Sequence, residues 1–227
     1  MSELCTLFGI PFQVFSEKEL CQESCDQLEN LALYTVFFVT GKQCSFLMET
    51  EDSFRNNERT TWVPVWHSLS TLFAKKDRYT ISSFLLWDYV ERMCEYLLDN
   101  GSELFLFMET ESQTELVLNE LRVMYPYLVV HTLSYDDMPS EEAMVNEINS
   151  VAPEILILGL HTENMKHFLD SNRMKTNARL CICVGELLVE EVSKKKKMFH
   201  NNSMSRSLKK KLRKYNKREQ SGHEGEK

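Results

Sequence analysis

Apolar and polar positions alternate in blocks along most of the chain. Short runs rich in β-branched, aromatic and leucine residues fall at 4–10, 34–39, 61–65, 103–107, 128–132, 154–158 and 180–184. Several are continuously apolar, the pattern of strands covered on both faces. Helical periodicity separates them. Ser16 precedes a helix predicted over 17–30, with Glu19 three residues on to complete a capping box. In 82–100 an apolar stripe of Leu86, Tyr89, Val90, Met93 and Leu97 ends at Asn100-Gly101, a C-terminal stop. Further helices are expected over 111–124, 140–151 and 162–172. Strand and helix in strict alternation predict an α/β, Rossmann-like fold, with a mainly parallel sheet and helices on both faces.

The pattern changes at Ser193. Residues 194–218 hold twelve Lys or Arg and no acid, whereas 1–193 hold 13 basic and 31 acidic residues, a net of −18. The overall charge of −8 therefore conceals an acidic body joined to a cationic tail. We divide the chain accordingly into a domain over 1–192 and a basic appendage over 193–227. In the appendage Met204, Leu208, Leu212 and Tyr215 form a narrow apolar stripe among cations. No apolar run reaches the roughly 18 residues that span a bilayer, and 1–10 has no basic n-region of a signal peptide. Hydrophobic residues at 43% suit a folded domain. The seven cysteines form no CxxC pair and read as buried thiols of a cytoplasmic protein.

The order of landmarks resembles the TagA/WecG/CpsF glycosyltransferases, bacterial enzymes that transfer an N-acetylhexosamine from a UDP donor to a lipid-linked acceptor. Asn100-Gly101, the strand at 104–107, Leu118-x-x-Leu121 and Tyr125-Pro126 match one passage of that family. Glu147-Ile148-Asn149 with 154–160, and then 180–185, match two later strands. Leu7–Pro11, Phe37–Thr40 and Asp77–Thr80 match the first half. The resemblance covers about residues 4–192 and is one of scaffold.

The chemistry of the family is mostly missing. Its Thr-x-Asn would put Asn at Lys42, and its catalytic Asp falls at Val65, followed by Trp66 in place of glycine. Met108-Glu109 replace paired glycines, and the GLGxPKQE loop reads Gly159 to Lys166, with its second glycine, its proline, its glutamine and its glutamate all gone. What the resemblance leaves for substrate binding is Thr40, Arg78, Gly159 and Gly185, with His161 as a relocated acid or base. Each has a plainer reading: Thr40 as a helix cap, Arg78 as an ion pair, the glycines as turn residues, His161 as a polar loop residue. His67 and the Asp136-Asp137 pair stand in the same balance, and no metal or other cofactor is expected.

These substitutions point to a degenerate, non-catalytic family member in cell-surface polysaccharide assembly. The alternative is a divergent active transferase. The tail cations Lys194, Lys195, Lys196, Lys197, Lys209, Lys210, Lys211, Arg213 and Lys214 suit an anionic lipid surface at the inner face of the membrane. A solvated tail is the equal alternative. Nucleic acid is less favoured, because the acidic body repels phosphate. A second copy or a glycosyltransferase is a further expected partner.

Overall fold

The computed structural model describes residues 3–7, 9–30, 32–48, 59–65 and 86–194. Expectations at Trp66, His67, Asp77–Thr80 with Arg78, and the tail beyond Lys194 lie outside them. The chain divides into two compact units, Met1–Val189 and Glu190–Lys227.

In chain order the described elements of the first unit are β1 (Glu3–Leu7), β2 (Ile10–Val14), α1 (Glu17–Leu28), β3 (Tyr34–Val39), α2 (Gly41–Met48) and β4 (Thr60–Pro64). Then come α3 (Leu86–Asn100), β5 (Leu104–Met108), α4 (Glu111–Met124), β6 (Val130–Ser134), α5 (Glu141–Val151), β7 (Ile155–Gly159), α6 (Thr162–Asn172) and β8 (Leu180–Cys183). The strands form one sheet in the order β1-β2-β4-β3-β8-β7-β5-β6. Only the β1–β2 pair is antiparallel. The α/β, Rossmann-like expectation is met.

Apart from shifts at element ends, the differences from expectation fall in the first half of the sheet. Residues 4–10 were expected as one strand, but Gly9, at φ 76°, turns the chain into an antiparallel pair in which Leu7 faces Ile10. The helix α2 follows from the reading of Thr40 as a helix cap and not from any apolar periodicity. It opens on a glycine and runs for eight residues, too short a stretch for periodicity to register.

The helices α1, α3 and α4 carry the chain toward the β6 edge, and α2, α5 and α6 carry it back. Each set covers its own face, as a single crossover hand requires. One face holds Phe37, Val39, Trp62, Phe105, Phe107, Leu156, Leu158, Cys181 and Cys183, packed under Cys44 and Leu47 of α2, Met144 and Ile148 of α5, and Met165 and Phe168 of α6. On the other face Phe38 of β3 meets Tyr89 of α3, whose hydroxyl shares a 2.7 Å hydrogen bond with Ser24 of α1. There Thr114 of α4 bonds Ser134 of β6 at 3.1 Å. Apolar burial on both faces at about 25 cal/mol per Å² is the main stabilising term.

Candidate functional site

In an open parallel sheet, ligands bind beyond the strand carboxyl ends where neighbouring strands send their helices to opposite faces. Here β5 and β7 are such neighbours, since α4 leaves one face and α6 the other. The residues at that crevice are Met108, Glu109, Gly159, Leu160 and His161.

This chain fills the crevice itself. Met108 is fully buried and sits beside Gly159 across the ladder. A Cβ on Gly159 would lie 2.3 Å from the Met108 sulfur. Gly159 thus makes room for a methionine, and its backbone is not among the left-handed positions. Glu109 is 5% exposed. Its Oε2 accepts the His161 backbone N–H at 2.7 Å, and its Oε1 accepts Asn164 Nδ2 at 2.5 Å. His161 is the N-cap of α6 and makes no side-chain cap bond. The Glu109 carboxylate thus binds the backbone N–H of the cap residue and the Asn164 side chain, at a helix N-terminus where the dipole favours a negative charge. That position is where such folds seat a phosphate.

His161 has a carboxylate neighbour that sequence spacing did not reveal. Its Nδ1 lies 3.2 Å from Glu186 Oε1, both side chains being about half exposed. Gly185, just before Glu186, has φ 56°, a conformation that favours glycine. A Cβ there would lie 2.8 Å from Gln43 Nε2, so β8 and β3 end against each other. Thr40 closes β3 and caps α2. Its hydroxyl accepts the Gln43 N–H at 3.2 Å, while Gln43 Oε1 accepts the Thr40 N–H at 2.9 Å and the Thr40 hydroxyl at 3.2 Å. This is a reciprocal capping box at Thr40-x-x-Gln43, which bears out the reading of Thr40 as a helix cap.

Of the expected residues, Thr40, Gly159, His161 and Gly185 lie at the carboxyl ends of β3, β7 and β8. Val65 follows β4 and donates its N–H to Val39 O at 2.8 Å. Asp136 and Asp137 occupy a 3-10 turn after β6. Among the described residues, no group of three His, Cys, Asp or Glu could hold a metal ion, and no helix is long and apolar enough to cross a membrane. Lys194 pairs with Glu190 one helical turn back, at 3.4 Å. The cysteines stay passive. Burial pushes Cys94 up to about 12 and raises Cys183 well above its ordinary value, with Cys181 Sγ 3.8 Å away.

The described unit is a Rossmann-like parallel α/β domain with its polar chemistry gathered at the strand carboxyl ends. The chain belongs to the glycosyl transferase WecG/TagA/CpsF family, whose model matches residues 5–197. No curated protein matches the chain.

Proposed function

We propose that the chain is a non-catalytic member of this family, serving as an accessory or binding protein in cell-surface polysaccharide or teichoic acid assembly. The carrying observation is Glu109, a buried carboxylate bonded to the N-terminus of α6. A donor diphosphate seated there would meet a buried carboxylate beside the helix N-terminus. Met108 against Gly159 and Val65 at the expected base position support the same reading. Calorimetry with UDP-N-acetylglucosamine and UDP-N-acetylmannosamine should give no binding heat at millimolar ligand. Micromolar binding of either would overturn the reading.

A divergent active transferase has one observation in its favour, the His161–Glu186 pair. A carboxylate holds an imidazole in one tautomer and orientation, as a general acid or base needs. Turnover of a UDP-N-acetylhexosamine on a lipid-linked acceptor, abolished by His161→Ala with unchanged melting, would establish it. No turnover leaves the non-catalytic reading standing.

A further inference from the structure

We propose that the amino ends of β3, β4 and β8 hold a site for one oxyanion, a phosphate or carboxylate group, bound by Arg173 with the Thr35 hydroxyl behind it. This is the opposite end of the sheet from the crevice, and the site stands whatever the crevice binds.

Two unsatisfied groups meet there. Thr35 of β3 is 2% exposed, and its hydroxyl is buried without a hydrogen-bond partner. Arg173 lies half-buried in the 3-10 turn Arg173–Lys175 that follows α6. It donates from Nη2 to the Arg59 carbonyl at 3.0 Å and forms no ion pair among the described residues. The same carbonyl accepts the Thr35 N–H at 2.9 Å, so one oxygen fixes both residues where β3 and β4 begin. They also share a face. Thr35 lies on the side of Phe37 and Val39, the face that α6 covers, and Arg173 extends from the end of α6. Thr60, half-buried beside Thr35 across the ladder, adds a second hydroxyl on that side. Burial pushes the Arg173 guanidinium below its ordinary value, with Cys181 and Cys183 of the same face acting on it.

Both deficits are met by one kind of ligand. A guanidinium presents a planar fork of N–H donors, and Arg173 commits one arm to Arg59. A partly buried charge without a counter-ion and a buried hydroxyl without a partner each cost stability. An oxyanion gives oxygens to the fork and a further lone pair to the hydroxyl. The nearby charges agree. Residues 173–179 contain Arg173, Lys175 and Arg179 and no acid, and the charge of Arg59 also bears on Arg173. Glu154, just before β7, is held by Arg179 at 3.2 Å, and Glu141 of α5 is held by His167 and Asn172. The connection ahead of Arg59 carries Glu49, Glu51, Asp52 and Glu58 with Arg55. It lies outside the described residues, and its carboxylates are the rival occupants.

Thermal melting of the full chain in chloride, with inorganic phosphate or acetate added to millimolar levels at constant ionic strength, tests the site. The wild type should melt higher as one or both anions are added, and the more effective anion names the group. Arg173→Gln should abolish the shift. Thr35→Val removes only the hydroxyl. Without added anion it should melt no lower than the wild type, while the apparent Kd weakens about tenfold, the value of one hydrogen bond. If Arg173→Gln does not fold, Arg173→Lys, which keeps the charge and loses the fork, should weaken the anion effect. No shift with either anion, the result expected if a carboxylate of residues 49–58 fills the site, overturns the proposal. So does a shift that Arg173→Gln and Thr35→Val leave unchanged.

Discussion

Gly159 ends β7 with its Cα beside the Met108 thioether, and the pairing defines how tightly the crevice is packed. Gly159→Ala would drive a methyl into Met108 Sδ and Cε, at 2.3 and 2.4 Å before relaxation. Overpacking of this kind costs about 1–3 kcal/mol. In a chain of this size each kcal/mol lowers the melting temperature by about 2–4 °C. Adding Met108→Ala should restore part of the loss, which a thermal double-mutant cycle measures directly. A single mutant that melts like the wild type would mean the crevice is looser than described. The sequence could show that glycine is scarce here and that Met108-Glu109 stand where small residues were expected. It could not show that Glu109 reaches Asn164, 55 residues away, because that meeting depends on strand order.

The same capping logic recurs at the scale of the elements. Ser16 and Glu19 bracket the start of α1, and hydrogen bonds from the Ser16 backbone N–H and hydroxyl hold Glu19 down to about 2. Thr40 and Gln43 do the equivalent for α2. Thr40→Ala should therefore cost about 1 kcal/mol, the ordinary value of a cap, read as a lowered melting temperature. Any ligand binding or biological activity lost without that shift would mark Thr40 as a contact residue. The helices α4 and α6 were legible to the residue, over 111–124 and 162–172, since amphipathic stretches of three turns or more carry a strong signal, reinforced at α4 by the Thr110 cap. The strand β6 begins two residues later than its pattern suggested. It lies at the sheet edge, where Val129 is 50% exposed and apolarity no longer tracks pairing. The strand β2 was hidden by Pro11, a residue that ordinarily ends a strand but here faces Thr6 near the turn.

At the scale of the whole molecule the dominant fact is electrical. Residues 1–193 carry a net of −18, and residues 194–218 carry twelve cations. Each lysine or arginine near an anionic lipid surface contributes about 1 kcal/mol, screened within about 8 Å at physiological salt. We propose that the tail holds the protein reversibly at such a surface, with the acidic body opposing it. Co-sedimentation with phosphatidylglycerol vesicles should occur at low salt, fall steeply as salt rises, and disappear on truncation after Val192. Equal pelleting of the full-length and truncated chains would remove the tail from that role. Preferential binding of RNA would reassign it to nucleic acid.

The buried carboxylate at the head of α6 has one more implication. Glu109 is covalently tethered beside the groups it binds, so it behaves as an internal competitor whose local concentration no dissolved anion can dilute. Tethered groups reach effective concentrations of about millimolar and above, and a rigid, short tether exceeds that. An outside phosphate would have to displace Glu109 as well as bind, which is the physical content of the non-catalytic function proposed above.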